Sequence, residues 1–297
     1  MSSRPAVRST PARLRRQALG LPLLLVPALA RSSRPREALR IGLVPYLSTR
    51  AMVGVFEPLR SHLEARLARP ARLFTAADFR ALADNARQGE YALALLPPHL
   101  ARIAVTDWGH ALVAGSALTT DLVVYVRRDE PPALPGGLRG QRIATLDPLS
   151  LASLALQRSL AQQGLVIGRD VEIDHVRSIT SAVIAVQRGD AIAVAGSSAQ
   201  LRDMAPAETA GLVPVATLAT VPTVAFVAHA AVPPAEVEAW RRAVLGFAPP
   251  ASADPGLSRT RFIEAALGDF DGLESYAQEA RRLLAAPRTP PRRPGTP

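Results

Sequence analysis

Apolar positions along the chain follow two alternating rhythms. A short apolar run at 39–45, ending at Pro45, reads as a strand, and Met52, Val55, Phe56, Leu59, Leu63 and Leu67 then recur at helical spacing over 51–68. A strand at 72–75 leads to a second helix, marked by Phe79, Leu82 and Ala86 and closed by Gly89. The run 91–96 is strand-like and stops at Pro97 and Pro98; a short helix and a strand near 111–114 follow. The β-branched run 121–126 predicts a strand, and Pro131, Pro132, Pro135, Gly136 and Gly137 predict a loop. A second set then reads strand 142–146, helix 149–163, strand 171–176, helix 179–188 and strand 191–195. Strand-like runs return at 212–216 and 223–228, and three helices are expected at 234–247, 258–267 and 271–285.

Strands alternating with helices imply βαβ units and parallel sheets. Two such sets predict two α/β lobes, each a mainly parallel sheet flanked by helices, with the runs at 121–126 and 223–228 as hinge strands between them. The division expected is 39–122 for the first part of lobe 1, 123–218 for lobe 2, and 219–285 for the return to lobe 1 and its last helices. A cleft between two lobes is a common place for a small ligand.

Composition changes the picture mainly at the ends. All 35 basic residues are arginine, the formal net charge is +10, and there is no cysteine. The lack of cysteine excludes disulfides, thiol nucleophiles, thiolate zinc sites and iron–sulfur clusters. The positive charge is misleading, because segment 37–287 carries 24 arginines against 25 acids. A nucleic-acid partner would require a basic folded domain, so none is expected. At the N-terminus, Arg13, Arg15 and Arg16 precede an apolar run at 18–29 and the Ala28, Leu29, Ala30 cleavage pattern. This order predicts a signal peptide over 1–30, cleaved after Ala30, with the mature protein in the periplasm. The apolar run is too short to span a membrane as a helix, and Pro22 and Pro27 interrupt it. Residues 286–297, rich in Pro and Arg, predict a disordered tail.

Several short stretches, in this order, resemble a known family: LRIGLVPY (39–46), FEPL (56–59), TAADF (75–79), GEYALAL (89–95), PHLAR (98–102), LRGQRIA (138–144), DPLS (147–150) and VQRGD (186–190). They are similar to the phosphate/phosphite/phosphonate-type substrate-binding proteins of ABC importers, across about 39–230. The resemblance implies the type II periplasmic-binding-protein fold. It also implies a secreted receptor that closes over a small oxyanion and delivers it to an inner-membrane ABC permease; a monomer with no cofactor is expected.

Candidate ligand contacts follow from position and chemistry. Asp147 suits an N-cap and Pro148 the first helical position, so free N–H groups beside Ser150 and Ser153 are candidate anion donors; an ordinary capped helix fits the same residues. Tyr46, Ser48 and Thr49 lie beyond the first strand, where open α/β sheets place ligands, although turn chemistry also explains them. His99, after Pro97 and Pro98, is placed to face the cleft and donate to an oxyanion, or else simply starts a helix. Thr180 and Ser181 open a helix of the second lobe and are further candidate donors.

The sequence departs from the family pattern at four points. Phe79 stands where a tyrosine is usual, Leu151 and Ala152 dilute a Ser/Thr run, and Ile192 rather than Asp190 falls at an acidic position. The histidines lack neighbours at ligand spacing, so no metal site is expected. No P-loop, G-x-G-x-x-G, H-E-x-x-H or G-x-S-x-G motif is present. Two other readings remain open at the level of sequence. One is an enzyme on the same fold, since the stretch 41–46 also resembles chorismate dehydratase; the other is a ligand-sensing accessory protein for a membrane signalling partner.

Overall fold

The computed structural model describes residues 37–47, 49–129 and 136–287. The predicted signal peptide, Ser48, the prolines at 131, 132 and 135, and positions 288–297 lie outside those residues.

The first sheet begins as the alternation predicts. Strand β1 (Leu39–Leu43), helix α1 (Thr49–Leu67), β2 (Ala71–Thr75), α2 (Phe79–Arg87), β3 (Leu93–Leu96) and α3 (Pro98–Trp108) wind a parallel β2-β1-β3 core. Strand β4 (Ala111–Ser116) ends this pass, and the chain enters the second sheet as β5 (Thr119–Arg127). There β6 (Gln141–Thr145), α4 (Leu151–Gln162), β7 (Val171–His175), α5 (Ile179–Arg188) and β8 (Ala193–Ser197) repeat the parallel winding. A short α6 (Ser198–Arg202) and the long β9 (Leu212–Pro222) complete the lobe, and β10 (Ala225–Ala228) returns to the first sheet.

Each sheet is mixed. The strand orders are β11-β4-β10-β3-β1-β2 and β7-β6-β8-β5-β9, where β11 is Phe262–Ile263. The parallel halves come from the βαβ windings. The antiparallel strands β4, β5, β9 and β10 lie where the chain passes between sheets.

The first crossing falls before the expected run 121–126, and the second at the start of the expected run 223–228. Strand β5 belongs wholly to the second sheet and β10 to the first, so the chain crosses at 117–118 and 223–224. The two crossing segments pair: Ser116 N–H donates to Val224 O at 3.0 Å, and Thr223 N–H to Leu118 O at 3.1 Å. Backbone groups that would otherwise be unpaired at the hinge are thereby satisfied.

The closing segment differs from expectation. Helices α7 (Pro234–Leu245) and α9 (Glu274–Ala285) form, but 258–267 is not helical. It contains the end of α8 (Pro255–Ser258), then β11, and a 3-10 turn (Leu267–Leu273) begins at its edge. Phe262 and Ile263 pair with Ser116 and Gly115, so the open edge of β4 draws this segment into the sheet and overrides its helical spacing.

Helices cover both faces of each sheet. Met52, Phe56, Leu59 and Leu63 of α1 pack with Val237, Trp240 and Val244 of α7 on one face of sheet 1. On the other face, α2, α3 and α9 form a core that also takes in Leu151, Ala152, Leu154 and Ala155 of α4, from the second lobe. The later part of α4, Leu156 and Leu160, packs on its own sheet. Gly42 is a close-approach position in β1: a Cβ there would lie 2.3 Å from the Tyr91 ring, whose hydroxyl accepts from Asn85 Nδ2 at 2.8 Å. Gly42→Ala is therefore expected to cost about 1–3 kcal/mol, read as a lower denaturant midpoint with an unchanged slope.

Candidate ligand site between the lobes

Helices α2 and α3 start at the carboxyl ends of β2 and β3, and the loop 147–150 leaves the carboxyl end of β6. These are the ends where open α/β sheets hold ligands. In this structure they meet. Asp147 Oδ2 accepts from Phe79 N–H across the lobes at 3.2 Å, and His99 Nε2 lies 2.9 Å from Leu149 O.

Local chemistry shapes the loop. Asp147 Oδ1 accepts from Leu149 N–H at 2.8 Å, closing a side-chain turn. Asp147 is thus not the helix cap. Ser150 caps α4, its Oγ accepting from Ser153 N–H at 3.2 Å, and the helix begins at Leu151 rather than Pro148. Burial raises the Asp147 pKa and the Asp78 carboxylate adds to this, while the Leu149 and Phe79 N–H bonds and His175 oppose it.

His99 is fully buried, and burial lowers its pKa from 6.5 to about 4 against the opposing bond to Leu149 O. A carbonyl only accepts, so Nε2 carries the proton of the neutral ring. Nδ1 is then a bare lone pair, and it has no hydrogen-bond partner. His99 was expected to donate to a ligand; its one proton is already committed to Leu149.

At three helix starts a side chain takes one backbone N–H. Asp78 caps α2 through Ala81 N–H at 2.6 Å, Ser150 caps α4, and Ser178 caps α5 through Ser181 N–H at 3.1 Å. Helix α3 differs, since Pro97 stands at its cap position and no side chain caps it.

The other expected residues are dispersed around this contact. Tyr46 follows β1 in a bend, and burial, with Asp254 beside it, pushes its hydroxyl pKa up to about 12. Thr49 is exposed at the first position of α1, and Ser48 lies outside the described residues. Phe79 starts α2 and is buried, with its backbone rather than its ring reaching Asp147. Ser153 is buried and its Oγ accepts from Gln157 Nε2 at 3.1 Å. Thr180 is half-buried and Ser181 exposed at the start of α5.

Asp190 and Ile192 lie elsewhere. They precede β8 and line a cavity of about 440 Å³ with Gly140, Arg142 and Glu172, at the end of the sheet opposite the 147–150 loop. An acid at 192 would not have met a ligand between the lobes. The cap at Asp78 was not read from the sequence, although a short polar residue before Phe79 is its local signal; no sequence signal marks the Leu149 carbonyl.

The arrangement defines a class: two α/β lobes joined by paired crossing strands, the type II periplasmic-binding-protein architecture. Residues 41–270 match the family of ABC transporter, phosphonate, periplasmic substrate-binding proteins, and the chain belongs to that family. Its members bind a small solute outside the cytoplasm and work with an ABC permease. The structure of PhnD1 from Prochlorococcus marinus in complex with methylphosphonate is 15% identical, with a TM-score of 0.69 over 82% of this chain and 98% of that one. A binding protein component of an ABC phosphonate transporter from Pseudomonas aeruginosa is 13% identical, with a TM-score of 0.70 over 84% and 89%. XAC2383 from Xanthomonas citri, bound to ATP, is 19% identical, with a TM-score of 0.67 over 83% and 98%. At these identities the likeness is one of fold. No curated protein sequence matches this chain.

The buried neutral His99 makes stability depend on pH. Its folded pKa is depressed, so the unfolded state binds more protons between pH 6.5 and about 4, and stability falls as pH drops through that window. The loss is roughly 3 kcal/mol. Denaturant melts at pH 7 and pH 4.5 should show a steeper decline for the native protein than for His99→Gln.

Proposed function

We propose that this protein captures a small oxyanion of the phosphate, phosphite or phosphonate class between its lobes and delivers it to an ABC permease in the inner membrane. The observation that carries the reading is the closed contact of the 147–150 loop with the starts of α2 and α3. A ligand held there touches both lobes and stabilises the closed form that a permease would read. No covalent chemistry is required. The chorismate dehydratase alternative is not favoured, because the matching family is one of transport proteins. Tyr46, Ser48, Thr49, Phe79, His99, Ser150, Ser153, Thr180 and Ser181 remain the proposed ligand contacts. The hydroxyls of Ser150 and Ser153 only accept in their present bonds, so each keeps its O–H to donate. The mature protein is proposed to be a monomer, exported by the segment 1–30.

A thermal-shift series with phosphate, phosphite, methylphosphonate, 2-aminoethylphosphonate and chorismate tests the reading. One of the phosphorus oxyanions at 100 times its Kd should stabilise the protein by about 2.7 kcal/mol, and chorismate should not. Stabilisation by chorismate alone, or by none of them, would count against oxyanion capture. Mass spectrometry of the exported protein should find Arg31 as its first residue.

A further inference from the structure

We propose that His99 makes closure of the lobes depend on pH: the closed form accepts this imidazole only without a proton, so acid drives the lobes apart. The inference rests on the lobe movement of the solute-capture reading and not on the identity of the solute.

The ring lies on the moving boundary. It stands on α3 of the first lobe, it is completely buried, and its one hydrogen bond runs from Nε2 to Leu149 O of the second lobe at 2.9 Å. Leu100 and Ala101, next to it on α3, share one core with Leu149, Leu151 and Ala152. Separation of the lobes takes those second-lobe groups away, so the ring loses its partner and meets water.

A proton added to the closed form finds no acceptor. Nδ1 is buried without a hydrogen-bond partner, so an N–H there would be an unmet donor on a charged ring. No carboxylate bonds His99 among the described residues, and the charged groups of the surrounding elements are engaged elsewhere. Asp147 accepts from the Phe79 and Leu149 N–H groups, and Asp78 caps α2. Arg80 of α2 donates to the carbonyls of Leu283 and Leu284. His175 Nδ1 donates to Leu146 O at 2.6 Å. Arg102, one turn along α3, pairs with Asp271 and Glu274. Strands β4 and β10, against which α3 packs, carry no titratable side chain.

Linkage fixes the direction. Burial lowers the His99 pKa to about 4 in the closed form, while an exposed imidazole titrates near 6.5, so the closed form binds fewer protons. Between pH 7.5 and 5.5 the odds of the closed form should therefore fall about tenfold. Asp147 acts in the opposite sense, because burial in the same contact raises its pKa. That contribution is common to the native protein and to His99→Gln, so their difference isolates His99. Glutamine keeps an Nε2 donor for Leu149 O and does not titrate. An acidified exterior would thus favour the open form and release of the solute.

The chain has no cysteine, so Val53→Cys on α1 and Ile184→Cys on α5, both exposed, place one spin label on each lobe. Distances between the labels are measured by pulsed electron resonance without ligand, from pH 7.5 to 5.5. The odds of the closed population should fall about tenfold in the native background and far less with His99→Gln. Far-ultraviolet circular dichroism at each pH separates opening from unfolding. A distance distribution that does not change with pH, or an equal change in the variant, overturns the proposal. Methylphosphonate added at pH 7.5 tests capture separately: failure to enrich the closed population counts against capture and not against the pH response. If His99→Gln does not fold, ring-nitrogen NMR of the native protein decides. The His99 ring should stay neutral to pH 5.5 in the closed form, and titration near 6.5 while the labels report closure would overturn the proposal.

Discussion

From Leu151 to Leu156 every residue of α4 is buried, which leaves this part of the helix without a solvent face. Its later turns lie on the second sheet, while Leu151, Ala152, Leu154 and Ala155 join the core of the first lobe. A helix in such a place has to be apolar all round, and its free N–H groups have to be satisfied from within. The Ser150 hydroxyl takes one of those N–H groups, that of Ser153, and apolar Leu151 and Ala152, standing in a usually polar run, meet the first demand. Separating the lobes would expose these side chains, at about 1.5–3 kcal/mol for each leucine. Closure therefore has an apolar component that does not depend on a ligand.

The last helix reinforces the same contact from the other side. Arg102 and Arg281 on α3 and α9 share Glu274, and Arg281 also holds Asp107, so α9 is fixed to the first lobe. From that position α9 reaches the second lobe: Arg158 of α4 bonds Ser275 Oγ and lies over the Tyr276 ring. Farther along the interface, Arg259 pairs with Asp203. The paired crossings at 117–118 and 223–224 supply the only covalent passages between the sheets among the described residues up to β10, and their mutual hydrogen bonds restrict the direction of any opening.

The chemistry at the lobe contact follows from this packing. Internal capping by Asp78, Ser150 and Ser178 uses donors that an oxyanion would otherwise receive. His99 is held neutral by burial and is oriented by the Leu149 carbonyl. His99 Nδ1 is left as a buried lone pair, and the start of α3 has no side-chain cap.

The alternation of short apolar runs with helical spacing was enough to read both βαβ windings, because strand and helix periods depend on neighbours a few residues away. Asp78 and Ser178 carry the same kind of local signal, a short polar side chain before an apolar helix, although the one cap read from the sequence was Asp147. Long-range pairing was not legible. The two-residue strand Phe262–Ile263 exists because β4 has an open edge, and the segment's own spacing reads as helix. Asp147 suits a cap by every local rule, yet it turns back on Leu149 and reaches Phe79 in the other lobe. The sequence by itself determined the elements, their order and the residue types available for a site. The tertiary structure alone decided which of those polar groups were consumed in holding the lobes together and which remained free, since that depends on atoms brought together from distant parts of the chain.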